Sequence, residues 1–147
     1  MKKYILILSV LFCNLIALAQ STEEDAVKSV VTSAYVEGIH NNGSIDEIRK
    51  GFHPTFNMLR LMDNEVKPLP IEEWITSIEK RRKEAKPEDK PVRTDAKFAS
   101  VDVTGNAATV KLELSKGGKK IFTDYIVLYK FTEGWRIVSK TFFRHPQ

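Results

Sequence analysis

The chain has 147 residues, 42% of them hydrophobic and 29% charged, with 23 Lys and Arg against 19 Asp and Glu. That is enough apolar material for one globular core, and too even a charge balance for a polycation built to hold nucleic acid. The single cysteine, Cys13, excludes an internal disulfide framework.

Lys2 and Lys3 open the chain, Tyr4 to Leu18 is mostly apolar, and Ala17-Leu18-Ala19 has the small-x-small form of a cleavage site. These features read as a secretory signal over residues 1–19, short for a bilayer span and followed by a polar stretch. The expectation is one domain over residues 20–147, periplasmic or secreted, with no membrane association after cleavage. Phe12 stands where a lipoprotein signal needs a small residue before Cys13. The mature domain then lacks any thiol nucleophile. It also lacks Lys2 and Lys3, so it lies nearer neutrality than the whole chain's +4.

Ser21 and Glu24 have capping-box spacing, and Val27, Val30, Val31, Ala34, Tyr35 and Ile39 recur at three- and four-residue steps, predicting an amphipathic helix. Asn41-Asn42-Gly43 ends it. Ser44 and Glu47 repeat the box before a short second helix striped by Ile45, Ile48 and Phe52, which Pro54 stops. Phe56 to Leu61 reads as a strand, Asp63-Asn64 as a turn, and Val66 as a brief edge segment. Pro70 suits the first position of a third helix striped by Ile71, Trp74, Ile75 and Ile78. Glu72 and Glu73 at its start and Lys80 to Lys83 at its end match the helix dipole. Ala85 to Pro91 is a polar loop.

The rest is a meander. Val92 to Thr104 and Ala107 to Ser115 flank Gly105-Asn106, a hairpin signal. Setting Thr104 opposite Ala107 pairs Val103 with Ala108, Val101 with Val110 and Ala99 with Leu112, all on one face. Gly117-Gly118 and Glu133-Gly134 make the last two turns. The strands between and after them, Ile121 to Phe131 and Trp135 to Phe143, are apolar on both faces, so both faces need cover. The predicted class is α+β: three helices on a curved antiparallel sheet, in the order α-α-β-(β)-α-β-β-β-β.

That order resembles the nuclear transport factor 2-like superfamily, cystatin-like cones in which a bent sheet wraps a long helix and leaves a pocket. Phe52-His53-Pro54, Val103-Thr104-Gly105-Asn106-Ala107, Thr123-Asp124-Tyr125 and Gly134-Trp135-Arg136-Ile137-Val138-Ser139-Lys140 resemble its "putative lumazine-binding" and polyketide-cyclase (SnoaL-like) branch. The resemblance implies a ligand pocket. It leaves function open, because the superfamily includes isomerases, dehydratases, cyclases, transport factors and binders.

Several residues are candidates for the site. His53, at the helix-to-strand junction, could act as base or ligand contact; a histidine that only fixes the junction is the weightier alternative. Asp124 lies in an apolar strand, where desolvation would raise its pKa. A two-residue turn at Gly117-Gly118 would instead set it opposite Lys111 on the polar face, and a three-residue final loop would set it diagonal to Lys140 or Arg144. An ion pair is the favoured reading. The same registers place Tyr125 with Thr123, Ser139, Thr141, Val110 and Ile137 on a pocket-like face, unless one bulge exchanges the faces. Tyr35, Phe56, Met58 and Trp74 would line the space between helices and sheet, as core or as pocket wall. Arg60 could recognise a carboxylate or snorkel to solvent. The basic run Lys80 to Lys83 lacks interleaved aromatics and reads as a solvated helix end.

His40, His53 and His145 are scattered, no HExxH or GxSxG occurs, and neither a metal nor a cofactor is expected. The leading expectation is an exported, non-catalytic domain holding a small, partly apolar ligand between helices and sheet. The rival is an isomerase-, dehydratase- or cyclase-type enzyme using His53 or Asp124 as base, with Tyr125 donating to an oxyanion. A third class is an interaction module. A homodimer through the outer sheet face, built on Phe122, Ile126, Leu128, Val138 and Phe142, is expected under each.

Overall fold

The computed structural model describes residues 22–86 and 91–146. The expected signal, the Ser21 cap and the middle of the polar loop lie outside the described residues.

Helix α1 (residues 22–40) starts as an α-helix and continues as a π-helix over Val31–His40. Its closing bond, from the Asn41 N–H to the Val36 carbonyl at 3.1 Å, spans five residues. Turns closed in this way stack residues five apart, so Tyr35 and His40 come onto one face. Val27, Val31, Ala34, Tyr35 and Ile39 are buried, as the apolar stripe predicts. Helix α2 (Ile45–Gly51) is capped by Ser44, whose hydroxyl accepts from the Asp46 N–H at 3.1 Å. It ends at Gly51, and Phe52, expected in its stripe, begins β1 (Phe52–Met62).

Asp63 and Asn64, both left-handed at φ 53 and 61, turn β1 into β2 (Glu65–Pro70). Helix α3 (Ile71–Glu84) takes Pro70 as its cap rather than its first residue and buries Ile71, Ile75 and Ile78. Its basic end is only partly solvated. Arg82 donates to the carbonyls of Gly38 at 2.7 Å and Gly43 at 2.9 Å, supplying partners where α1 runs out of its own.

Strands β3 (Thr94–Thr104), β4 (Ala107–Lys116), β5 (Lys119–Phe131) and β6 (Gly134–Arg144) complete one curved sheet of order β2-β1-β6-β5-β4-β3. The α+β class and the order of elements are as predicted. One pairing departs from a wholly antiparallel sheet: β1 and β6 run parallel.

Three bulges decide which way side chains face. The first hairpin keeps the expected pairs Thr104–Ala107, Val103–Ala108 and Val101–Val110, but a bulge at Ala99 sets Phe98, not Ala99, opposite Leu112. In the next hairpin Lys116 pairs with Lys119 as a two-residue turn requires. A bulge at Ile121 then sets Asp124 opposite Leu112 instead of Lys111. A third, at Val138, shifts the end of β6 so that Asp124 pairs with Phe142 and Ile126 with Lys140. Each extra residue exchanges the two faces beyond it.

The consequence is an inversion of the expected faces in β5. Ile126 and Leu128 are 1% and 0% exposed and pack against the helices, with Phe122 and Phe142 beside that core. They do not form an outer patch. The outward positions belong to Tyr125, Val127, Tyr129 and, from β6, Phe143.

Candidate functional site

Three polar side chains meet inside the apolar core. The Tyr35 hydroxyl, from the π-helical part of α1, donates to Asp124 Oδ2 at 2.8 Å. Lys140 Nζ, from β6, donates to Asp124 Oδ1 at 2.6 Å and to the Tyr35 hydroxyl at 2.8 Å. The three side chains close a ring of hydrogen bonds, and Asp124 and Lys140 are 0% and 4% exposed. Asp124 and Lys140 are the diagonal cross-strand pair that the bulge at Val138 creates; the bulge at Ile121 sets Asp124 opposite Leu112.

Aromatic rings enclose the ammonium. Lys140 Nζ lies 4.8 Å from the Tyr35 ring centre, 5.8 Å from that of Trp74 and 4.7 Å from that of Phe142. Phe56 stacks on Trp74 at 6.2 Å, and Phe52 meets Phe56 edge-on at 4.8 Å. The His40 ring stands edge-on to Tyr35 at 4.8 Å, and its Nε2 is buried with no hydrogen-bond partner among the described residues.

Burial sets the electrostatics. Desolvation pushes the Lys140 ammonium below the ordinary lysine range, although Asp124 pulls the other way. Desolvation and the Asp124 charge hold the Tyr35 phenol well above its usual value, so it stays protonated. Desolvation, with Lys140, Lys116 and Arg81 adding positive charge around it, drops the His40 imidazolium to about 3. Burial thus disfavours the charged forms of Lys140 and His40 and keeps the proton on Tyr35. Lys140 has three N–H groups and, among the described residues, spends two of them on Asp124 and Tyr35, which leaves a third donor for an incoming oxygen.

Tyr35, Phe56, Met58, Trp74 and Asp124 all come to this interior. Four other sequence candidates do not. His53 stacks on Phe131 at 4.6 Å and contacts the Thr55 hydroxyl at 2.8 Å. The Arg60 guanidinium donates to the Lys67 carbonyl along β2. Ser139 donates to the Asn57 carbonyl at 3.3 Å. Tyr125 is 48% exposed, with Lys111 Nζ 5.7 Å from its ring centre; the bulge at Ile121 put it on the outer face, away from Val110 and Ile137. It cannot donate to an oxyanion formed at Asp124. Sequence reasoning missed Lys140 and His40 as site residues. The signal for Lys140 was a lysine between inward-facing positions of an apolar strand. None marked His40, because a period of 3.6 hides its alignment with Tyr35.

A separate cleft of about 680 Å³ opens on the far side of α1, bounded by Ser33, Lys50, Lys130 and Trp135. None of the residues selected from the sequence lines it.

The profile of the family described as "Putative lumazine-binding" matches residues 22–143. The chain belongs to this family. Among curated proteins it is 28% identical over 128 residues to "Aldolase FrzH" of Cladobotryum sp., covering 86% of this chain and 95% of the relative. Among solved structures it resembles an NTF2-like protein of unknown function from Shewanella baltica OS155, with TM-score 0.69 and 25% identity over 86% of this chain and 97% of that one. A second NTF2-like protein of unknown function, from Silicibacter pomeroyi DSS-3, aligns with TM-score 0.66 and 22% identity over 85% and 98% of the two chains. A domain with a cystatin-like fold from Nostoc punctiforme aligns at 0.62 and 17% identity, over 86% of this chain and 79% of that one. The chain therefore has the NTF2-like fold of a ligand-binding domain, as the resemblance implied.

Proposed function

We propose that this protein is an exported domain that binds a small, partly apolar, oxygen-bearing molecule in the interior of its cone, seated against Tyr35, Asp124 and Lys140. One observation carries the reading: a charged pair and a phenol, hydrogen-bonded to one another, lie in the apolar core beneath half-buried aromatic rings. Burying two charges often stabilises a core no better than a hydrophobic replacement would, so the pair is weak evidence for a stabilising role and fits a binding one. The free Lys140 N–H would meet a ligand oxygen, and Trp74 and Phe142 would cover its apolar part. Export rests on the leader features of residues 1–19.

A second reading, an enzyme acting on carbonyl compounds, is favoured by the same contacts. Asp124 is within proton-transfer distance of Lys140 and Tyr35, and the relative that matches over most of its length is called an aldolase. Asp124, not His53, is the base in that case, and Tyr35 replaces Tyr125 as the oxyanion donor.

The test is a thermal-shift screen of the mature protein against oxygenated planar metabolites, repeated with the paired replacement Lys140→Met and Asp124→Leu. Removing both charges together leaves neither unpaired, so the variant should fold with stability within about 1–4 kcal/mol of wild type and lose the shift. A variant that binds as well as wild type, or a wild-type protein that no compound stabilises, would overturn the proposal.

A further inference from the structure

Lys140 has every neighbour an amine needs to react. We infer that Lys140 captures aldehydes or ketones as a covalent imine, with Asp124 and Tyr35 moving the protons. The inference rests on the binding reading above and adds a bond to it.

The geometry supplies each step. Asp124 Oδ1, 2.6 Å from Nζ, takes one proton from the ammonium and frees the nitrogen lone pair. The amine attacks the carbonyl carbon; the C–N bond forms as the C=O π pair moves onto oxygen. Tyr35, whose hydroxyl lies 2.8 Å from Nζ, passes a second nitrogen proton to that oxygen, giving a neutral carbinolamine. Asp124 then returns its proton to the hydroxyl, water leaves, and the nitrogen lone pair closes the C=N bond. The three ammonium protons end as two on water and one on the iminium, with Asp124 a carboxylate again. No oxidant or reductant is consumed.

The surroundings favour this fate for a lysine. A buried amine gives up its proton more readily than a solvated one, and desolvation is the largest influence on Lys140. The iminium carries the same single positive charge as the ammonium it replaces, so Asp124 still faces a cation and no buried charge is stranded. Trp74 and Phe142, the rings over Nζ, are only half-buried. A carbonyl compound would have to displace one of those rings to reach Nζ, its apolar part taking over the ring's contact with the site.

The experiment is reductive trapping. The mature protein is incubated at neutral pH with benzaldehyde or cyclohexanone and sodium cyanoborohydride, then mapped by peptide mass spectrometry. Lys140 should be alkylated about tenfold faster than Lys80 or Lys67, whose side chains are 75% and 48% exposed. Tyr35→Phe keeps the charge pair and should slow labelling at Lys140 alone; a purely structural tyrosine would leave that rate unchanged. Labelling of Lys140 no faster than of the exposed lysines, in protein that remains folded by circular dichroism, overturns the inference. Benzyl alcohol serves as the non-carbonyl control in a parallel thermal-shift series. Stabilisation by the alcohol without an adduct at Lys140 overturns the imine alone; no stabilisation by any probe and no adduct overturns the binding reading with it.

Discussion

His40 has the most perturbed environment of the three histidines. Its imidazole is enclosed by Tyr35 and Phe122, and its Nε2 is buried without a hydrogen-bond partner among the described residues. The positive charges of Lys140, Lys116 and Arg81 add to desolvation in holding its folded pKa at about 3. In the unfolded chain the ring titrates near the ordinary value of about 6.5. Between those two values the unfolded chain binds the proton and the native chain does not, so protons favour unfolding. The stability His40 contributes is present above about pH 6.5 and falls as pH drops toward 3, with a limiting slope of about 1.4 kcal/mol per pH unit. Other groups titrate in this range, so the informative quantity is the difference between wild type and His40→Phe. Urea unfolding at pH 7, 6, 5 and 4 should show that difference moving steadily in favour of the variant as pH falls. Parallel profiles for the two proteins would mean that His40 is accessible to protons in the native state.

At the level of elements, what the sequence made legible was whatever has a fixed period. The stripe Val27, Val31, Ala34 and Tyr35 placed α1; Ile71, Ile75 and Ile78 placed α3; Gly105-Asn106 and Gly117-Gly118 placed two hairpins with the pairing at each turn correct. What it hid was each departure from period. The bulges at Ile121 and Val138 each insert one residue, and each adjoins a second apolar residue, Phe122 or Ile137. Two adjacent apolar positions break strict alternation, and that was the only local trace of the face exchange that brought Asp124 inward and Tyr125 outward. The ion pair with Lys140 was anticipated as one of two diagonals, but through a three-residue loop; a two-residue turn plus a bulge gives the same register. The crossing of α1 and α2 has a clearer local cause. A Cβ added at Gly51 would lie 2.2 Å from the Ala34 methyl, so the helices approach as closely as they do because that position has no side chain. Gly51→Ala must force the helices apart or strain Ala34. It should cost about 1–3 kcal/mol of stability by overpacking, measurable as a lower urea midpoint with an unchanged m-value. An unchanged midpoint would mean that the α1–α2 contact is looser than the geometry states.

At the scale of the molecule, the helices cover one face of the sheet and, among the described residues, leave the other open. Tyr125, Val127, Tyr129 and Phe143 are 48%, 37%, 47% and 57% exposed on neighbouring strands of that open face, with Leu59 and Leu61 of β1 beside them at 39% and 77%. The register joins them: Tyr125 pairs with Thr141 and Thr123 with Phe143, while the parallel step Met58–Lys140 brings the end of β1 alongside the end of β6. Exposed apolar side chains on three adjacent strands, interleaved with Thr141, Ser139 and Arg136, have the mixed composition of a protein interface. We propose that two copies of this chain pack through this face, a dimer built on these side chains rather than on Phe122, Ile126, Leu128, Val138 and Phe142. Ile126 and Leu128 cannot take part, because they are inside the cone. A glutamate in place of Val127 would put a charge between Tyr125 and Tyr129 on this face, and in a twofold interface each such charge would be buried or face its copy. Light scattering after size exclusion at micromolar concentration should therefore give twice the chain mass for wild type and the single-chain mass for Val127→Glu, with the far-ultraviolet circular dichroism of the two unchanged. The Tyr35–Asp124–Lys140 cluster lies on the opposite face of the sheet, so the monomeric variant should keep the ligand-induced thermal shift. A wild-type monomer would remove the interface; a lost shift in Val127→Glu would show that the two faces communicate through β5, whose outward Tyr125 immediately follows the inward Asp124.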